Sequence, residues 1–259
     1  MAKHSKYDNI KHRKAAQDAK RWKIFSIHAK QITLAAQKEW DPKKNANLAM
    51  LIEKAKKAWV PSDNIERSIK KGTGEYKDGL QILEIFYEWY APGWVAMLVK
   101  VLTDNRNRTA SLIKHIFSKY WWNMWEPWSV SWMFKRKWII IIDSDKYSYD
   151  KIEEIVYETD AEDIVLENDT IKIITQVNDF NSVVKFFKWK NIEIEEYEIN
   201  YIPENKTKIT DFDKALKFIK MYEAFYENED VESISSNEEI NEDLLKEVNN
   251  FIEKNTFRT

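Results

Sequence analysis

WIIIIDSDKYSYDKIEEIVYETDAEDIVLENDTIKIITQVNDFNSVVKFFKWKNIEIEEYEINY, residues Trp138–Tyr201, is the stretch that decides the fold. It opens on Trp138–Ile142, which reads as a strand and whose aliphatic run, Ile139–Ile142, is far too short to span a membrane. Tyr149–Tyr157 reads as a helix, Ile164–Glu167 and Thr170–Gln176 as strands, Ser182–Lys188 as a helix and Ile192–Tyr201 as a strand. The order β-α-β-β-α-β is the split βαβ, or ferredoxin-like, plan.

Working outward, a second α/β unit brackets the first. Gln81–Tyr87 and Val95–Thr103 read as strands joined by a turn at Ala91-Pro92-Gly93, followed by a helix over Arg106–Lys119 and a strand over Ser129–Phe134. After Pro203-Glu204-Asn205 come a helix, Phe212–Tyr226, a strand, Val231–Ser235, and an acidic helix over Glu238–Thr259. These later elements complete the earlier unit, so residues 135–205 form a domain inserted into another made of residues 76–134 and 206–259. Residues 1–75 read as a helical bundle broken at Asp41-Pro42 and Val60-Pro61, because a residue before proline avoids the helical region. Its last helix has Ser62 or Asp63 as N-cap, with Glu66 in capping-box position. Lys70 and Lys71 lie in its last turn, and Gly72 serves as C-cap. The fold class is therefore α+β: an N-terminal helical bundle followed by two ferredoxin-like α/β domains, one inside the other.

Charge is distributed unevenly over these parts. Residues 1–75 hold eighteen Lys/Arg against eight Asp/Glu, while the remainder holds 23 against 35. Such a split describes a basic module for a polyanion joined to an acidic body, or a solvated helical surface rich in lysine. The absence of cysteine excludes disulfides and thiolate metal sites and fits a reducing, cytoplasmic setting. The N-terminus is basic and lacks the apolar segment of a secretory signal.

The basic arm MAKHSKYDNIKHRK, residues 1–14, interleaves cations with an aromatic and amides. Lys6, Lys11, Arg13 and Lys14, with Lys20, Arg21 and Lys23 beyond, offer phosphate contacts. His12 offers a hydrogen bond to a nucleic-acid backbone. In Thr103-Asp104-Asn105-Arg106-Asn107-Arg108-Thr109, Asp104 or Asn105 can cap the helix that follows. Arg106 and Arg108 then oppose its dipole, a conflict resolved by a bound phosphate or by pairing with the acidic body.

Several chemistries find no support. The four histidines, His4, His12, His28 and His115, have no metal-ligand spacing. No serine sits in a nucleophile elbow. Lys71-Gly72-Thr73-Gly74 lacks the order and position of a phosphate loop. The carboxylates are scattered. No catalytic residue, metal, cofactor or small-molecule substrate is expected.

The remaining oddity is tryptophan. The chain has twelve Trp and only four Gly. Nine of the tryptophans, Trp22, Trp40, Trp89, Trp94, Trp121, Trp122, Trp125, Trp128 and Trp138, stand where the surrounding sequence calls for glycine. Tyr120–Trp128 with glycine at each Trp becomes an ordinary Gly/Asn/Pro turn. The matched deficit and excess point to UGA codons, read as glycine in some bacterial lineages, rendered here as tryptophan. Several of these indoles are then expected to be exposed or strained on loops.

With glycine restored, the chain resembles the YebC/PmpR family over essentially its full length, less closely after residue 145. The resemblance is carried by HSKYDNIKHRKAAQDAKRWKIF (4–25), PSDNIERSIKKGTGE (61–75), YEWYAPGWVA (87–96) and LTDNRNRTASLIKHIFSKYWWNMWEPWSVSWMFKRKW (102–138). Trp132 matches a tryptophan of the family pattern, whereas Trp59 and Trp189 fall at variable positions. Lys3, Tyr7 and Lys114 depart from the pattern but keep or add positive or aromatic character. The resemblance implies three domains, a cytoplasmic location and no enzymatic activity. It implies either DNA-binding transcriptional regulation or translational activation at ribosomes stalled on proline-rich stretches, with DNA, or rRNA and the ribosome, as the partner. The matching positions are Lys6, Lys11, His12, Arg13 and Lys14, then Lys70 and Lys71 with Gly72-Thr73-Gly74, and Arg106 with Arg108.

Overall fold

Among the described residues, the basic N-terminal segment forms three helices whose ends are set locally. They are α1 (Gln17–Ala36), α2 (Ala46–Lys57) and α3 (Ser62–Gly72). The computed structural model of the chain describes residues 17–75, 81–120, 129–167 and 170–256. Asn45 both closes α1 and opens α2. Its Nδ2 donates to the carbonyls of Ala35 and Glu39 at 3.0 and 2.7 Å, and its Oδ1 accepts from the Leu48 amide at 3.0 Å. Ile32, Leu48, Leu51, Ala55, Val60 and Ile65 form the bundle core. Gly72 lets α3 approach α1 closely: a Cβ there would lie 2.6 Å from both the Ala36 Cβ and the Thr33 carbonyl oxygen.

The ends of α3 differ from the expectation. Pro61 is the N-cap residue, no side chain makes a capping hydrogen bond, and Asp63 lies inside the first turn. Proline's fixed φ suits the entry to a helix, and its missing N–H is not needed there. Gly72 is the last helical residue, Thr73 is the C-cap, and Gly74 follows with φ +78°.

The next elements are β1 (Leu83–Ala91), β2 (Val95–Thr103) and α4 (Arg106–Tyr120). β1 and β2 pair antiparallel from Leu83↔Thr103 to Ala91↔Val95. β2 is buried along its length except for half-buried Lys100, as befits a central strand. The chain returns after the insertion as β7 (Thr207–Ile209), α7 (Phe212–Tyr226), β8 (Val231–Ser236), β9 (Glu238–Ile240) and α8 (Glu242–Thr256). β8 joins the open edge of β2, giving the order β1-β2-β8, and β7 pairs parallel with β9. Asn237, 1% exposed, knits these strands together: its Oδ1 accepts from the Ala96 amide at 2.8 Å, and its carbonyl accepts from the Thr207 amide at 2.7 Å. An aromatic chain, Trp89 to Phe117 at 4.2 Å and Phe117 to Phe225 at 4.8 Å, ties β1 to α4 and α7. Residues 238–240, expected to be helical, are strand. The last helix starts one residue beyond Asn241, whose Oδ1 accepts from the Leu244 amide.

The expected strand over Ser129–Phe134 does not form. Ser131–Met133 is a 3₁₀ turn, and β3 (Phe134–Asp143) starts after it. The cause is Glu88, whose Oε2 accepts from the Val130 and Ser131 amides at 2.9 Å each. Those N–H groups point at a carboxylate instead of a neighbouring strand.

The inserted elements are β3, α5 (Tyr149–Val156), β4 (Asp163–Glu167), β5 (Thr170–Thr175), α6 (Phe180–Trp189) and β6 (Glu196–Pro203). Their sheet is antiparallel in the order β4-β5-β3-β6, the ferredoxin-like arrangement. One face packs on α5 and α6 through Ile140, Ile142, Ile152, Ile171, Val183 and Phe187. β6 starts four residues later than expected because Ile192 and Ile194 pack into this core instead of pairing. Residues Trp132–Asn205 make one compact unit. The described parts of Ile10–Ser131 and Lys206–Thr259 make another.

Candidate nucleic-acid interface

Lys6, Lys11, His12, Arg13 and Lys14 lie outside the described residues, so the interface is built from the cations that follow. Lys20, Arg21 and Lys23 fall on α1. Arg21 is exposed, with its guanidinium 5.6 Å from the Phe25 ring centroid. Lys23 turns toward the body instead: its ammonium donates to the Tyr226 carbonyl and lies 4.3 Å from that residue's ring centroid. Lys70 and Lys71 are exposed in the last turn of α3, at the negative end of its dipole. Thr73 Oγ1 donates to the Lys70 carbonyl at 2.9 Å, holding that turn in shape.

Arg106 and Arg108 share the first turn of α4 but have different surroundings. Asn105 is the side-chain cap, its Oδ1 accepting from the Arg108 amide at 3.1 Å. Arg106 is exposed. The Arg108 guanidinium is occupied by two carboxylates, Asp104 at 2.9 Å and Asp230 at 3.1 Å.

Asp230 is the hub of this region. Its carboxylate, 10% exposed, receives Lys30 Nζ at 2.7 Å, Thr109 Oγ1 at 2.7 Å and Arg108 Nη2. Burial pushes its carboxyl upward. The hydrogen bonds from Lys30 and Thr109, the Lys30 charge and the Arg108 hydrogen bond outweigh that and hold it below the usual aspartate value. From the next residue of α1, Gln31 Nε2 donates to Glu232 at 2.6 Å. Lys100 lies 2.8 Å from Glu232 and 3.0 Å from Glu84. Burial lowers the Lys100 ammonium, but Glu232 and then Glu84 raise it above its ordinary value. The arrangement joins α1 to the first sheet through charges whose partners are all internal.

Sequence reading placed Lys20, Arg21 and Lys23 on the polyanion face and passed over Lys30, which is fixed on Asp230. It also passed over Lys54, Lys56 and Lys57, which occupy the last turn of α2. Three cations at a helix C-terminus are a readable signal, and Lys56 and Lys57 are exposed. No group of three or more His, Asp or Glu suited to a metal ion occurs among the described residues. No described helix is long and apolar enough to cross a membrane.

The nine singled-out tryptophans divide. Trp22, Trp40 and Trp94 are exposed, and Trp94 has φ +62°. Trp89 is buried against Phe117, and Trp138 stacks on Phe180 at 4.1 Å. Trp121, Trp122, Trp125 and Trp128 lie outside the described residues. Trp132, in the 3₁₀ turn, is 68% exposed.

Known proteins resemble this chain over most of its length. Residues 5–75 match the family described as TACO1/YebC protein N-terminal domain, and residues 82–238 match TACO1/YebC second and third domain. A protein of Maridesulfovibrio salexigens named "Probable transcriptional regulatory protein" is 39% identical over 248 residues, covering 96% of this chain and 99% of the relative. One of the same name from Borreliella burgdorferi is 43% identical over 245 residues, covering 94% and 100%. The crystal structure of a conserved hypothetical protein from Aquifex aeolicus aligns with a TM-score of 0.82 at 38% identity, covering 92% of this chain and 98% of that one.

Proposed function

Because this chain belongs to the TACO1/YebC family, we propose that it is a non-enzymatic, cytoplasmic regulator of transcription that binds DNA through its basic N-terminal module. The relatives carry the name of transcriptional regulators. The observation that carries the reading is the concentration of positive charge in residues 1–75 against an acidic remainder. Phosphate contacts are sequence-blind, and each one releases counterions from the nucleic acid.

The contact surface in this proposal comprises Lys6, Lys11, His12, Arg13 and Lys14 of the arm, Lys20 and Arg21 of α1, and Lys70 and Lys71 of α3, whereas Lys23 is engaged with Tyr226. Arg106 and Arg108 stand at its edge on α4, with Arg108 sharing its charge with Asp230. Three domains organise the chain: the bundle of residues 1–75, the domain of residues 76–134 and 206–259, and the insertion of residues 135–205. The nine tryptophans stand as glycines in the protein its own cell makes, so none of them is a stacking platform for bases.

Charge reversal of Lys11, Arg13 and Lys14 together tests the proposal. The expected result is loss of retention on a DNA column at low salt with an unchanged circular-dichroism spectrum. Unchanged retention overturns it. Gradient fractionation of native lysate separates the partners. Co-migration with ribosomal particles replaces the transcriptional reading with that of a ribosome-associated translational activator, whereas crosslinking to promoter DNA away from those particles supports it.

A further inference from the structure

Three helices of this chain end in the same hydrogen-bonding motif, and the residue at its centre differs among them in a revealing way. After α2, the Trp59 amide donates to the Lys56 carbonyl at 3.0 Å, and the Val60 amide to the Ala55 carbonyl at 2.9 Å. After α3, Gly74 donates to Lys71 and Glu75 to Lys70, both at 3.2 Å. After α6, Asn191 donates to Lys188 at 3.1 Å and Ile192 to Phe187 at 2.9 Å. Each pair of bonds is the Schellman pattern, which forces the residue just past the cap into the left-handed region. The φ values agree: +60° at Trp59, +78° at Gly74 and +57° at Asn191.

Glycine is the ordinary occupant of that position and asparagine the tolerated one. For other L-residues the left-handed conformation is strained, because Cβ comes too close to the following carbonyl oxygen. At position 59 the side chain offers little in return, since the indole is 80% exposed. The apolar contact that closes the motif comes from its neighbours, Val60 and Ala55, both in the bundle core. Nothing about this helix end requires an aromatic residue, and its backbone geometry asks for glycine. Trp94, in the hairpin turn between β1 and β2, has the same features: φ +62°, an exposed ring, and a place among the nine singled out from sequence alone. Trp59 is not among those nine, because it falls at a variable position of the family pattern, which leaves its identity undecided.

We infer that residue 59 is glycine in the protein as its own cell makes it, a tenth position of the recoding on which this inference rests. The consequence lies in the bundle. The left-handed residue sets the direction in which the chain leaves α2 for Pro61 and α3, the helix that carries Lys70 and Lys71. Glycine makes that exit free of strain and removes an exposed indole from the module proposed to face the polyanion.

Peptide mass spectrometry of the protein purified from its own source tests the inference, together with the codon at each position. Glycine at position 59 and a UGA codon support it. Tryptophan at 59 beside glycine at the other nine overturns this inference alone, and UGG throughout overturns the recoding as well. Neither result bears on polyanion binding. The recombinant chain gives an independent measure. Trp59→Gly is expected to melt about 2–4 °C above Trp59→Ala, because both variants lose the indole and only glycine relieves the backbone. Equal melting temperatures overturn the backbone argument.

Discussion

Lys30 and Asp230, 200 residues apart in the chain, form a 2.7 Å ion pair whose side chains are only 16% and 10% exposed. The pair fastens α1 to the segment leading into β8, and Arg108 and Thr109 reach the same carboxylate from α4. A charge this far from water is held only while its partners stay in place. Asp230→Ala leaves Lys30 buried without its counterion, which costs about 2–4 kcal/mol. Urea denaturation measures it. A loss below about 0.5 kcal/mol, the range of ordinary surface substitutions, removes Asp230 from its central place.

The same carboxylate sets an acid limit on stability. Its folded pKa is depressed, so its contribution is fully present above the unfolded value of about 3.9 and disappears as pH falls through the lower folded value. Glu88 behaves alike. Burial raises it, but the Ser131 and Val130 amides and then the Ser131 and Ser129 hydroxyls bring it below the usual glutamate value. Melting temperature should hold steady near neutrality and fall increasingly below about pH 5. In Asp230→Asn the acid limb should be shallower, and an unchanged limb counts against the assignment.

Arg106 and Arg108, two residues apart, should separate cleanly on mutation. Arg108→Ala breaks contacts to Asp104 and Asp230 and should lower stability by about 1–2 kcal/mol, with a small effect on DNA affinity. Arg106→Ala should leave stability within about 0.5 kcal/mol and lower the salt dependence of DNA binding by roughly one counterion. Paired denaturation and salt-titration curves decide, and the opposite pattern reverses the two roles.

Gly72→Ala probes the crossing of α1 and α3. The added Cβ meets the Thr33 carbonyl oxygen and the Ala36 Cβ at 2.6 Å, neither of which can swing away. A cost of about 1–3 kcal/mol is expected from overpacking, despite alanine's better helix propensity. A stabilised variant shows instead that the helices separate freely.

Strands and helices whose cause lies within their own residues were readable in advance. Val95–Thr103 is apolar almost throughout, and Phe212–Tyr226 starts at Asp211, whose side chain accepts from the Lys214 amide. Both have the expected limits. Ser129–Phe134 misled because Glu88, about forty residues earlier, captures its amides. The candidate interface follows the same division. That Arg106 and Arg108 lie in the first turn of a helix follows from their immediate neighbours. That one is exposed while the other meets Asp230 depends on a residue 122 positions away, which local spacing does not reveal. Lys30 had no signal at all, since a lysine paired across the fold looks in sequence like any solvated one.

The Glu204 amide donates to the Met133 carbonyl at 2.9 Å, beside the Phe134↔Pro203 pairing of β3 with β6. The inserted unit therefore enters and leaves through one doorway. A cassette with adjoining ends can be gained, lost or exchanged by the host fold with a splice of a few residues, since closing so small a gap costs little chain entropy. In this chain the segment Trp132–Asn205 is in this sense a cassette closed by its own strand pairing, while the strands β1, β2 and β8 are supplied by the flanking chain.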